Sequence, residues 1–146
     1  MDNRHLTEGS VLYLPVWCPG ALFSCGDPHA AQGDGEVCVT ALECPMKATL
    51  RFTLLKRPIP APSFRVPAAH MATLARDYHA TSGIATDLMT ASRLAVQAMI
   101  HWIREEHELS AEDAYMLCSL AADLRITQFV NGNNGVHVML EQKYFK

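Results

Sequence analysis

Apolar and polar residues alternate with period two through the first third of the chain and with period 3.6 beyond residue 86. Ser10–Trp17 reads as a strand, with Pro15 marking an edge or a bulge. Ala21–Cys25 reads as a second, shorter strand after the Pro19-Gly20 turn. Glu36–Glu43 is apolar on both faces, which predicts a central strand. Met46–Lys56 sets Lys47, Thr49, Arg51 and Thr53 against Ala48, Leu50, Phe52 and Leu54, one wet face and one packed face. Pro58, Pro60, Pro62 and Pro67 make residues 57–67 an extended connector. A further strand is expected over Phe64–Ala75, followed by a loop over His79–Gly83.

Beyond that point the period changes. Thr86 or Asp87 can cap a helix running to about His107, with Leu88, Ala91, Ala95, Ala98, Met99, Trp102 and Ile103 as its apolar stripe. Ser110-x-x-Asp113 resembles a capping box and opens a second helix over 110–125, carrying Leu117, Leu120, Ala121 and Leu124. Ile126–Val130 and Val136–Leu140 then form a hairpin around Asn131-Gly132-Asn133-Asn134-Gly135, residues that tolerate positive φ. The expected fold is one α+β domain over residues 1–146. Its N-terminal part is β-rich, a sheet or barrel-like, followed by two consecutive helices and a C-terminal β-hairpin.

Composition narrows the function. At 146 residues, 49% apolar and 18% charged, the chain can bury a real core. Its net charge of −3 argues against phosphate neutralisation on a nucleic acid. No apolar run has the length of a membrane span, and Met1-Asp2-Asn3-Arg4-His5 has no signal-peptide layout. Cys18, Cys25, Cys38, Cys44 and Cys118 are odd in number and lack Cys-x-x-Cys spacing. They read as buried free thiols in a reducing cytoplasm. Cys25, two residues from Asp27, is the one weighed as a nucleophile.

The chemistry concentrates in Gly26–Glu36, which holds Asp27, His29, Gln32, Asp34 and Glu36 among three glycines and a proline. This is an irregular loop hung between two strands, and its carboxylates and imidazole are the usual ligands of a hydrolytic metal. The alternative is a plain hairpin turn at Gly33-Asp34-Gly35 with solvated acids. Asp27 and His29 lie two apart, so an extended backbone lets both reach one ion. Glu36 suits a general base or acid beside a metal-bound water, Asp34 is a second candidate for that role, and Gln32 can orient a carbonyl or a leaving amine. His101 and His107 read as surface or helix-end residues. His5, His70 and His79 have no partner spacing. His137 and Asn131 are weighed between lining the pocket and shaping the hairpin.

Gly-Asp-Pro-His-Ala-Ala-Gln-Gly-Asp-Gly-Glu followed by Val-Cys-Val-Thr-Ala-Leu-Glu resembles the signature of the acetamidase/formamidase family. Met1-Asp2-Asn3-Arg4 with Leu12-Tyr13-Leu14-Pro15-Val16 is similar to the segment upstream of it. Leu117–Ala121, Asp123–Gln128, Asn131 and Gly135-Val136-His137 are similar to the family's C-terminal segment. The resemblance implies hydrolysis of a small amide such as formamide or acetamide, and a divalent metal, zinc in the first place. Asp2 becomes a third metal ligand because it fits the last residue of the family's Gly-Gly-Asn-Met-Asp. Family members are about twice this long, and the match is to their C-terminal half. The expected partner is therefore a separate subunit carrying the N-terminal half, or a second copy of this chain. The competing reading is a non-catalytic subunit or fragment that serves as a binding module.

Overall fold

The computed structural model describes residues 2–68 and 77–145. Five antiparallel strands form an open sheet in the order β1-β4-β5-β7-β6. They are β1 (Val11–Tyr13), β4 (Ser63–Val66), β5 (Tyr78–Ala85), β6 (Asp123–Gln128) and β7 (Asn134–Glu141). A separate two-stranded ribbon pairs β2 (His29–Ala31) with β3 (Leu42–Glu43). Helices α1 (Leu88–His107) and α2 (Ala111–Ala121) lie between β5 and β6 in sequence, so the fold is α+β. A short 3₁₀ turn, Gln142–Phe145, follows the last strand. Among the described residues no helix is long and apolar enough to cross a membrane.

The helices form where their caps dictate. The Asp87 carboxylate accepts from the Thr90 amide at 2.7 Å, and Ser110 Oγ accepts from the Asp113 amide at 3.0 Å. Ala91, Ala95, Met99 and Ile103 of α1 are fully buried on the sheet. They pack with Ala114 and Cys118 of α2 and with Val136, Val138 and Leu140 of β7. On the opposite sheet face Phe64, Val66, Tyr78, Ala80 and Met139 form a second core under Leu6 and Leu12. Alternation along β7 thus sends even-numbered side chains to the helices and His137 and Met139 to the other face.

Several expectations need correction. His79–Gly83 is not a loop but part of the interior strand β5, paired with β4 on one side and β7 on the other. Its small, polar sequence reflects crowding: Thr81 Oγ1 donates to the Ala95 carbonyl at 2.9 Å, and α1 passes directly over Gly83. Glu36–Glu43 is not a central strand. Only Leu42 and Glu43 join a ladder, while Val37 and Val39 are exposed. Ala21–Cys25 and Met46–Lys56 have no strand structure, because alternation needs a neighbouring ladder and none reaches them among the described residues. Ser10–Trp17 shortens to β1, and Phe64–Ala75 is realised from Ser63 to Val66, its residues 69–75 lying outside the described ones. On α2, which ends at Ala121, Ala114 and Cys118 are buried and Leu117 and Ala121 pack against them, whereas Leu120 is 85% exposed and Leu124 falls in β6. The five cysteines are free, but only Cys118 is buried, and desolvation pushes its thiol up to about 11; Cys25 and Cys38 are exposed.

Candidate functional site

The loop predicted to carry the chemistry lies against the end of the sheet. Its backbone docks there through two hydrogen bonds, Gly35 N–H to the Thr127 carbonyl at 3.1 Å and Phe129 N–H to the Gly35 carbonyl at 3.0 Å. The β2–β3 ribbon, with Cys44 N–H bonded to the Pro28 carbonyl at 3.1 Å, holds the other end. Asp27 and Glu36, neither of them glycine, adopt φ of 59° and 47°. That left-handed backbone carries a cost of about 1 kcal/mol or more at each, and such strain is characteristic of functional loops.

Two connected clusters result. In the outer one, His29 Nε2 stands 3.4 Å from Asp27 Oδ1 and 3.7 Å from Glu36 Oε1. His29 is also paired in register with Glu43, and one ligand atom each of Asp27, His29 and Glu43 lies within 4.8 Å of the others. Glu36 is buried, and the Gln128 side-chain amide donates to its Oε2 at 3.3 Å. The same amide also donates to the Asp2 carboxylate, while Thr127 Oγ1 donates to the Asp2 carbonyl. Gln128 therefore ties the N-terminal segment to the loop carboxylate.

In the inner cluster, Asp34 bridges Arg125 and His5. Its Oδ2 is 3.6 Å from Arg125 Nη1, and its Oδ1 is 3.9 Å from His5 Nε2. His5 and His137 are buried and meet edge to face at 5.2 Å between ring centroids, with the Phe64 ring against both. Desolvation lowers His5 to about 4 and His137 to about 3.

Of the residues singled out in sequence, the structure brings Asp27, His29 and Glu36 together. Asp2 reaches Glu36 through Gln128, and Glu43 takes the third position beside Asp27 and His29. Asp34 joins the inner cluster. The Gln32 amide nitrogen is buried without a hydrogen-bond partner among the described residues. Asn131 and His101 are exposed. His107 is half-buried and stacks on Phe145 at 3.6 Å. His70 lies outside the described residues. Sequence reasoning missed Gln128, Glu43 and His5. Glu43 closes the loop signature and was readable as a ligand there; Gln128 and His5 gain their neighbours only when residues 2–5 fold over β6 and β7.

The acetamidase/formamidase family profile matches residues 1–146. An acetamidase of Mycolicibacterium smegmatis is 47% identical over 36 residues, 25% of this chain and 9% of that protein. A formamidase of Methylophilus methylotrophus is 31% identical over 90 residues, 59% of this chain and 22% of that protein. The crystal structure of an acetamidase from Yersinia enterocolitica superposes with a TM-score of 0.82 at 29% identity, covering 100% of this chain and 42% of that one. An acetamidase from Bacillus halodurans gives a TM-score of 0.74 at 30% identity, covering 99% and 46%. The chain thus spans less than half the length of the relatives it matches.

Proposed function

The chain belongs to the acetamidase/formamidase family, and from that premise we propose that it hydrolyses a small aliphatic amide, of formamide or acetamide type, to carboxylate and ammonia. The observation that carries the reading is the convergence of Asp27, His29 and buried Glu36 on one strained loop.

Asp27, His29 and Glu43 fit a divalent ion: they offer two carboxylates and an imidazole in mutual reach, with Asp27 and Glu43 open to solvent. Zinc suits such a nitrogen and oxygen set. An ion held there would supply Lewis acidity, polarising an amide carbonyl and lowering the pKa of a water beside it toward ~7.

The remaining roles belong to the protein. The Glu36 carboxylate accepts a proton as water oxygen bonds to the carbonyl carbon. It returns that proton to nitrogen as the C–N bond breaks, so that ammonia leaves. Gln128 holds Glu36 in place through its amide donor. The unpaired Gln32 amide is a donor for the substrate carbonyl oxygen. Asp34, turned toward Arg125 and His5, is a weaker candidate for the proton transfer.

The proposal includes a second polypeptide. The Asp27 side chain is 58% exposed, more open than hydrolytic chemistry favours. Leu22, Val37, Leu42, Phe52 and Leu54 are exposed on the same N-terminal segments. Apolar surface of this kind is normally covered. A separate subunit carrying the remainder of the family fold is the cover we propose, with a second copy of this chain as the alternative. Five free thiols fit a cytoplasmic location.

The test measures ammonia release from formamide and acetamide by the purified chain together with any subunit that co-purifies. His29→Ala is expected to lose metal and turnover together, and Glu36→Gln to keep the metal and lose turnover. Undiminished release by both variants would overturn the reading. A monomer in sedimentation that binds metal and turns over alone would remove the second polypeptide from it. A monomer with neither metal nor activity would favour a non-catalytic binding module.

A further inference from the structure

We propose that His5, Asp34 and His137 form a second metal site, two buried imidazoles capped by a solvent-reached carboxylate of the loop and distinct from the Asp27–His29–Glu43 cluster, that takes a divalent transition-metal ion of zinc type. One ligand atom from each of the three residues lies within 4.8 Å of the others. None of the three belongs to the outer cluster, so the inference does not depend on the amidase reading.

Burial is the first argument. His5 is 1% exposed and His137 is fully buried, and all four of their ring nitrogens lack a hydrogen-bond partner among the described residues. A neutral imidazole has one N–H donor and one acceptor nitrogen. Leaving such groups unpaired out of water is costly, and an unpaired buried polar atom in a native protein calls for a reason. Here two such rings sit on the same face of one sheet and meet each other, with the Asp34 carboxylate beside them. An ion between the three turns one orphaned nitrogen of each ring into a ligand.

The donor set is the second argument. Two imidazoles and one carboxylate leave a fourth position for water or an outside ligand, which is a recurrent arrangement for zinc. Asp34 is oriented from behind: Arg125 holds Oδ2 and leaves Oδ1 toward His5. Outer partners of this kind fix a ligand's direction and tune its ion. Arg125 is itself balanced by Asp123, at 3.5 Å, so its charge does not act on the ion alone. Phe64 supplies the apolar wall.

The geometry also accounts for the sequence spacing. Residues 5, 34 and 137 come from the N-terminal segment, the loop and β7, so an ion here cross-links three distant parts of the chain. Binding should therefore raise stability as well as show in spectra.

The test is a Co²⁺ titration of the chelator-treated full chain carrying His29→Ala, which removes an outer ligand. One equivalent is expected to bind, with the visible ligand-field bands of a low-coordinate site and a higher melting temperature. Adding His137→Gln or Asp34→Asn should weaken that binding by more than the roughly 10–100-fold typical of losing an outer partner. Asp34→Asn leaves both buried rings in place, so its loss of binding in a chain that still melts cooperatively separates ligation from misfolding. Absence of the bands from the His29→Ala chain, or their survival in both further variants, overturns the proposal. Failure of the outer site reads differently: wild type and His29→Ala would then bind equal numbers of ions while the inner bands persist.

Discussion

The carbonyl oxygen of Ala91 lies 2.0 Å from where a β-carbon on Gly83 would stand, and the Ala95 amide nitrogen lies 2.6 Å from it. Strand β5 and helix α1 are therefore in backbone contact, and the residue between them is set by space and not by turn chemistry. Gly83→Ala should destabilise the chain by about 3 kcal/mol, since neither backbone can withdraw without opening the core. Denaturant midpoints with an unchanged m-value check this. Gly132→Ala, in open space at φ 72°, should cost much less.

Gln128 donates to Asp2 and Glu36 from one amide. Gln128→Leu keeps the volume but removes the donor. It should cost about 1–3 kcal/mol through the two carboxylates left behind. Turnover should fall more than KM rises, because Glu36 would be present but no longer held. Steady-state kinetics beside a urea melt separate the two effects.

His79 is buried against Trp102, whose ring stacks on it at 3.8 Å, with His107, Arg57 and Arg65 as its charged or titratable surroundings and Tyr13 nearby. Burial first, then these neighbours, lowers it to about 3. The unfolded chain binds the proton below about pH 6.5 and the native one does not, so stability is full above that pH and declines as pH falls toward 3. The slope from this one group is at most ~1.4 kcal/mol per pH unit. His79→Gln should flatten the acid limb of the stability profile by one proton, measured by melts across that range.

Leu42, Phe52 and Leu54 are 64%, 68% and 75% exposed. Replacing all three with serine should shift the melting of the isolated chain little, each change staying within about 0.5 kcal/mol. The same variant should lose association with the covering polypeptide, read by sedimentation or co-purification. An unchanged association would place that contact elsewhere.

The sequence was most legible where local chemistry decides the outcome. Asp87 and Ser110 cap their helices as read, and Ala91, Ala95, Met99 and Ile103 bury the predicted stripe. The loop also declared itself, because Asp27, His29 and Glu36 are close in sequence as well as in space. Three features were hidden for physical reasons. β5 carries Gly83 and Thr81 to admit a helix, so a buried strand reads as a loop. Val37–Leu42 has the pattern of a central strand, but pattern sets only which side chains share a face; a ladder needs a neighbour. His5 and Gln128 acquire their roles across separations of some 130 residues, His5 to His137 and Gln128 to Asp2, which no local spacing encodes.

The two halves of the inner histidine cluster belong to parts of the molecule that should open at different rates. His137 rides on β7, flanked by β5 and β6 and buried on both faces, and its amide should exchange with solvent only on global unfolding. Asp34 rides on a loop held to the sheet by the two backbone bonds of Gly35, the Gln128 amide on Glu36 and Arg125 on Asp34 itself. Undocking that loop withdraws Asp34 and Glu36 together and leaves the imidazoles where they are. The residence time of anything bound there would then follow the lifetime of these few contacts, a clock far faster than that of the fold.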